Sequence, residues 1–187
     1  MRIVIGIAGR IGVGKDVMAR RLAERYGFSV VRFSQALKDE VLTRLPRTLE
    51  AIRQSLNLND SSVYELVHLV KPPIIRELLQ EYGTEVRRGD KDSYWVDKWL
   101  ETIGQLASIQ NGGLRVVAPD LRFGNEYRAI KDLGGMTVHI ARPGHEDTGT
   151  HLSENGLLGY NFDARFNNVG SEQDFLDQID RWAPDNL

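Results

Sequence analysis

The chain opens on an unbroken apolar run, Ile3-Val4-Ile5-Gly6-Ile7-Ala8. It continues through a glycine-rich stretch into a segment with helical spacing at Met18, Leu22 and Tyr26. Strand, turn and helix is the expectation. Ser29–Phe33, β-branched and aromatic, predicts a second strand. Ser34 then stands at the head of a helix whose apolar positions Leu37, Val41, Leu42 and Leu45 share one face, stopping at Pro46. From residue 47 to about 111 no strand pattern occurs. The spacing predicts several helices, broken near Asn57–Asp60 and at Pro72-Pro73, with Ile74–Tyr82 and Tyr94–Ala107 the best defined. Alternation then resumes: strand Leu114–Ala118, a helix to Leu133, strand Met136–Ile140, an aperiodic stretch over 142–162, strand Ala164–Phe166, and a closing amphipathic helix marked by Phe175, Leu176, Ile179 and Trp182.

This is the pattern of an α/β protein, a three-layer αβα domain with about five parallel strands. Residues 1–34 and 112–187 form its core, 35–111 a helical insertion, and 142–162 a lid or loop. Ligands of such sheets sit at the carboxyl ends of the strands. Gly9–Asp16, Ser34, Asp120–Arg122, Arg142 and Asn168 all fall there.

Gly9-Arg10-Ile11-Gly12-Val13-Gly14-Lys15-Asp16 has the layout of a phosphate-binding P-loop. Backbone N–H groups must converge on one concavity, which requires small residues where the chain folds round the phosphates. The helix N-terminus adds partial positive charge and Lys15 a full one. A dinucleotide fingerprint needs Gly-x-Gly-x-x-Gly and an acidic residue after the second strand, and neither is present. Asp16 stands where a Ser or Thr ordinarily offers its hydroxyl to Mg²⁺. Its carboxylate is either a hard oxygen ligand, direct or through water, or a favourable charge capping the helix start.

The net charge of −2, with acids and bases interspersed over 187 residues, gives no basic face for nucleic acid. The absence of cysteine removes disulfides and thiolate metal sites. With no long apolar segment and a strand from the first residues, a cytoplasmic protein with no membrane partner is the expectation, monomer or homodimer.

A P-loop alone spans kinases, GTPases and transport ATPases. The guanine-reading Asn-Lys-x-Asp is absent. Asp120 ends the third strand, as an acid that organises Mg²⁺ should, and no Glu follows it to activate water. A helical insertion suits an enzyme that binds a second substrate and closes over it, excluding water from phosphoryl transfer.

Several blocks, in order along nearly the whole chain, resemble the phage-type deoxynucleoside monophosphate kinases, with phosphomevalonate kinases as more distant relatives. They are Gly14-Lys15-Asp16; Phe33-Ser34 with Leu37-Lys38; Arg76–Gln80 through Gly83-Thr84-Glu85; Tyr94-Trp95-Val96; Asp120-Leu121-Arg122-Phe123 with Asn125-Glu126; Arg142-Pro143-Gly144 with His151–Glu154; and Asn168-Val169-Gly170-Ser171. Residues 44–73 match little. The resemblance implies transfer of the γ-phosphoryl of ATP to the 5′-phosphate of a deoxynucleotide, with Mg²⁺. A phosphomevalonate kinase or another small-molecule kinase is the alternative of the same class; a non-catalytic nucleotide-binding protein is that of another.

On this reading Gly9, Ile11, Gly12, Val13, Gly14, Lys15, Asp16 and Val17 bind ATP, and Asn168 resembles the position that meets adenine or else serves a turn. Lys15, Asp120, Arg122 and Arg142 are the catalytic candidates, and Asp16 and Asp120 the metal ligands. Ser34, Lys38, Arg76, Gln80, Thr84, Arg87, Trp95 and Arg122 are the candidates for the acceptor nucleotide. Guanidinium groups match phosphate oxygens in pairs. Each also has a plainer role open to it. Arg122 can pair with Glu126 at i,i+4, Arg76 and Arg87 can be solvated helix charges, Thr84 and Gln80 can belong to helix ends, Ser34 can be a cap, and Trp95 can be packing in a stripe with Trp99 and Ile103. Residues 143–164 contain no Lys or Arg, leaving Arg142 and Arg165 at their edges. His145, Glu146, Asp147 and His151 lack the spacing of a metal site.

Overall fold

A computed structural model describes residues 2–83, 91–109, 113–145 and 156–187. The apolar run at the start becomes β1 (Arg2–Ala8), buried from Ile3 onward. It is the central strand, and that is why it reads as continuously apolar rather than alternating. β1 pairs in parallel with β3 (Leu114–Ala118) on one side and β4 (Met136–Ala141) on the other. β2 (Ser29–Val30) adds to β3, and β5 (Ala164–Asn167) adds to β4, giving the order β2-β3-β1-β4-β5.

β2 is shorter than the pattern Ser29–Phe33 predicts. Val31 N–H still reaches Val117 O at 2.9 Å, but Phe33 gives its N–H to the carboxylate of Asp120. The strand ends because a side chain at the tip of β3 takes its next donor.

Alternation along β1 distributes the core to two faces. Ile3, Ile5 and Ile7 cluster with Met18, Ala19 and Leu22 of α1 (Lys15–Tyr26), and with Phe175 and Ile179 of the closing helix Glu172–Asn186. Gly6 points the other way. A Cβ there would lie 3.0 Å from Leu121 and from Ile130 of the helix Gly124–Asp132, so the backbone approaches that helix closely. Helices on both faces make the three layers.

Contacts divide the chain into two units, Met1–Phe33 with Trp99–Leu187, and Ser34–Lys98. The second holds α2 (Ser34–Arg44), α3 (Pro46–Ser55), α4 (Val63–Glu65, continued as a π-helical turn over Leu66–Val70) and α5 (Pro73–Glu81). Pro46 and Pro73 stop one helix and stand in the first turn of the next, where a missing N–H costs nothing. Val41, Leu49, Leu66, Val67, Ile75, Tyr82 and Trp95 form its core.

The insertion expected to run to residue 111 gives way earlier, within α6 (Tyr94–Ile109). Trp99 is 2 % exposed, stacks on Phe33 at 4.3 Å and donates its Nε1–H to Val31 O at 2.9 Å, which assigns it to the sheet-bearing unit. Among the described residues the remaining helices are α7 (Gly124–Asp132) and α8 (Glu172–Asn186).

Of the expected lid 142–162, residues 146–155 lie outside the described residues. Its later part is fastened to the core unit. Tyr127 of α7 packs edge-on against Tyr160 and Phe162, and its hydroxyl donates to Asn161 O. Among the described residues no helix is long and apolar enough to cross a membrane.

Candidate functional site

The loop between β1 and α1 has positive φ at Gly9 (141°), Gly12 (81°) and Gly14 (110°), a conformation that side chains disfavour. Gly9 shows the second constraint, space. A Cβ on it would sit 2.4 Å from Ile140 O of β4, so no other residue fits where the loop leaves the sheet. Val13 is 2 % exposed and belongs to the hydrophobic core, anchoring the loop from beneath, whereas Ile11 and Gly12 face outward.

Lys15 is the first residue of α1, and its Nζ donates to Gly9 O at 2.7 Å and Arg10 O at 2.6 Å. The ammonium therefore lies across the loop it follows. Asp16 in the first turn is exposed, and its carboxylate accepts from Arg32 at 2.6 Å. The literal capping role is corrected: Gly14 is the N-cap and no side chain caps it, so what Asp16 brings to the helix start is its charge rather than a cap hydrogen bond.

Asn168 follows β5 and is 5 % exposed. Its N–H reaches Ala141 O at 2.8 Å, and its side-chain amide donates to Val13 O at 2.9 Å. That amide is spent on holding the phosphate loop. Asp120, 9 % exposed, lies two residues past β3 and accepts from Phe33 N at 3.0 Å.

The pairing of Arg122 with Glu126 takes a different form from the i,i+4 side-chain pair. Glu126, 3 % exposed, accepts the backbone N–H groups of Arg122 (2.8 Å) and Phe123 (3.1 Å). Its carboxylate serves the open start of α7. The guanidinium of Arg122 is exposed, and among the described residues no carboxylate pairs with it. Arg142, just past β4, is likewise exposed.

Two histidines of this unit escaped the pattern. His139 on β4 pairs with Ala8 and Arg165 in the ladders. Burial first, then the charges of Arg165 and Lys15, hold it below the ordinary imidazole value, so it is neutral beside the loop. His145 places Nδ1 3.1 Å from Ile11 O. Both depend on strand register, which no local spacing reveals.

In the insertion unit Ser34 is the first residue of α2, and Lys38 is buried at 7 % exposure. Arg76 is exposed and donates its Nε–H to Lys71 O at 2.8 Å. Gln80 is half-buried on α5. Thr84 and Arg87 lie outside the described residues. Trp95, for which packing and stacking were both open, is 3 % exposed in the core of this unit, with Nε1–H on Gly83 O at 2.9 Å.

Glu40 was missed altogether. It accepts from the hydroxyls of Tyr82 (3.0 Å) and Tyr94 (2.7 Å) and from Arg44 Nε (2.9 Å), joining α2 to the residues either side of 84–90. Its place on a charged helix face carried no signal of this.

Among the described residues no group of three or more His, Cys, Asp or Glu could hold a metal by itself. The carboxylates that follow β1 and β3 in this unit include those of Asp16, which accepts from Arg32, and Asp120, which accepts from Phe33 N. That set fits Mg²⁺, which takes one or two carboxylates and completes its shell with phosphate and water.

A family model described as deoxynucleotide monophosphate kinase matches residues 54–179. A protein of Acanthamoeba polyphaga mimivirus that carries this name provisionally is 28 % identical over 196 residues, 95 % of this chain and 94 % of its own length. The deoxynucleotide monophosphate kinase of Enterobacteria phage T4 is 30 % identical over 106 residues, 56 % of this chain. This chain spans 43 % of that phage protein's length. The dephospho-CoA kinase of Campylobacter jejuni shares the fold, with a TM-score of 0.52 at 17 % identity over 97 % of this chain and 95 % of that one.

Proposed function

Since the chain belongs to the deoxynucleotide monophosphate kinase family, we propose that it transfers the γ-phosphoryl group of ATP to the 5′-phosphate of a deoxynucleoside monophosphate, yielding ADP and the diphosphate. The observation that carries the reading is the loop itself: three glycines at positive φ, Lys15 at the head of α1, and a buried Asp120 at the end of the adjacent strand.

The reaction asks little covalent chemistry of the protein. An oxygen of the acceptor phosphate attacks the γ-phosphorus, a new O–P bond forms, and the bond from that phosphorus to the β,γ-bridging oxygen breaks as ADP leaves. The acceptor's second pKa is about 6, so it is largely dianionic at neutral pH and needs no general base. What remains is to hold two anions in line and offset the charge that develops.

Lys15 does this for the donor by exchanging the carbonyls of Gly9 and Arg10 for phosphoryl oxygens. Arg122 and Arg142 supply further positive charge. Asp16 and Asp120 would hold Mg²⁺, directly or through water, and the ion would neutralise the β- and γ-phosphate oxygens. The core residues 1–34 and 112–187 serve the nucleotide donor, with 142–162 as its lid. Ser34 at the edge of the insertion, and Lys38, Arg76, Gln80, Thr84 and Arg87 within it, serve the acceptor.

The test is ADP formation in a coupled assay over a panel of deoxynucleoside monophosphates, ribonucleoside monophosphates and phosphomevalonate. Turnover is expected with at least one deoxynucleotide and is abolished by Lys15→Ala, which leaves the circular dichroism spectrum unchanged. A panel on which no nucleotide is turned over above background hydrolysis overturns the proposal.

A further inference from the structure

We propose that His145 is a donor-phosphate ligand: the ring set against Gly12 hydrogen-bonds a phosphoryl oxygen of the nucleotide held by the loop. The inference rests on the kinase reading above and adds a residue that reading does not contain.

The placement begins with four residues at the end of β4. In Arg142-Pro143-Gly144-His145, His145 N–H donates to Arg142 O at 3.2 Å and Gly144 has φ 79°. Proline at the second position and a positive φ at the third are the requirements of a type II turn, in which proline presets one dihedral and glycine accepts the other. The turn is therefore written locally, and it returns the chain sharply. Because β4 pairs with β1 up to Ala8↔His139, the turn emerges beside the phosphate loop.

The contact with the loop is close and specific. Nδ1 lies 3.1 Å from Ile11 O. A Cβ on Gly12 would meet His145 Cε1 at 2.7 Å and Nδ1 at 3.2 Å, so the imidazole edge rests on the one loop residue that has left it room. Ile11 and Gly12 are both exposed, which puts the ring on the open side of the loop rather than in its core.

Chemistry then decides what the ring can do. Ile11 O is only an acceptor, so Nδ1 must carry a proton. In a neutral ring Nε2 is then an acceptor too, and it would repel a phosphoryl oxygen. The cationic ring alone serves Ile11 O and a phosphate at once. The loop that His145 touches carries Arg10, Lys15 and Asp16 in sequence, the last paired with Arg32, and Arg142 opens the turn. A bound triphosphate reverses the sign of that surrounding. The stretch 143–164 holds no Lys or Arg, so histidine is the residue type left to bring positive charge from it.

The experiment is titration of the full chain with ATP and, separately, with inorganic tripolyphosphate, both with Mg²⁺, comparing wild type, His145→Ala and His145→Gln. The turn is made by Pro143 and Gly144 and His145 is exposed, so both variants keep the fold. Glutamine can still donate to Ile11 O but carries no charge. Loss of a charge-assisted hydrogen bond weakens binding of both ligands by about tenfold in each variant, with the KM for the acceptor nucleotide unchanged. Wild-type affinity for ATP or tripolyphosphate in either variant overturns the proposal, as does a loss seen only in the acceptor KM. If the wild type itself binds neither ligand, the kinase reading fails instead.

Discussion

Asp120 Oδ1 accepts the backbone N–H of Phe33 at 3.0 Å, so a single buried acid closes the ends of two neighbouring strands. The same carboxylate is the proposed Mg²⁺ ligand, and the two roles can be separated. In Asp120→Asn the amide oxygen still accepts from Phe33 but the charge is gone. The expected result is a kcat lower by about a hundredfold with a thermal midpoint close to wild type. Asp120→Ala loses both and is less stable by about 1–3 kcal/mol in urea unfolding.

Asn168, just past β5, fastens the phosphate loop through Val13 O. Asn168→Ala leaves that carbonyl without its donor and is expected to destabilise by about 1–3 kcal/mol. The KM for ATP rises because the loop loses its brace. Asn168→Asp sets an acceptor against an acceptor and does worse on both measurements.

Glu126 accepts the backbone N–H groups at the start of α7, and the exposed guanidinium of Arg122 is the proposed phosphate ligand. Arg122→Ala is expected to lower kcat/KM by about a hundredfold, and Arg122→Lys recovers little because an ammonium cannot bind two oxygens side by side. Glu126→Gln, by contrast, acts on stability, with a lowered thermal midpoint.

Glu40 gathers the hydroxyls of Tyr82 and Tyr94 with Arg44. Glu40→Ala removes the carboxylate that both hydroxyls donate to. Steady-state kinetics should show a raised KM for the deoxynucleotide and an unchanged KM for ATP.

Asp180 accepts from Arg21, from Tyr26 at 3.1 Å and from Arg25 at 2.6 Å. The bond from Arg21 is the first cause that holds its carboxyl below the usual range. A carboxyl with a depressed folded value binds fewer protons folded than unfolded. The stability it contributes is therefore present above the unfolded value of about 3.9 and lost as pH falls through the folded one. Denaturant melts from pH 7 down to pH 2 should show this loss in wild type and a shallower acid limb in Asp180→Asn.

The strands, the loop glycines and the two proline boundaries were legible because each is a local matter. Ile3–Ala8 is apolar at every position because it is central, Gly9 and Gly14 answer to backbone dihedrals, and Pro46 and Pro73 to a missing N–H. The length of β2 was not legible, since the acid that ends it is 87 residues away. Trp95 and Trp99 share one apolar stripe, yet one donates to Gly83 and the other to Val31. Helical spacing tells which residues turn inward and is silent on what they meet.

The order of residues alone determined that a cup of backbone amides would follow the first strand with a lysine at its lip, because the conformations such a cup requires are the ones only its glycines adopt cheaply. Folding decided the rest: that Asn168 would spend its amide on Val13, that Glu126 would serve main-chain donors rather than Arg122's guanidinium, and that a Pro-Gly turn would lay His145 over Gly12. Those contacts join residues brought together by parallel strand register. A register is set by the burial of whole strands rather than by any short run of letters.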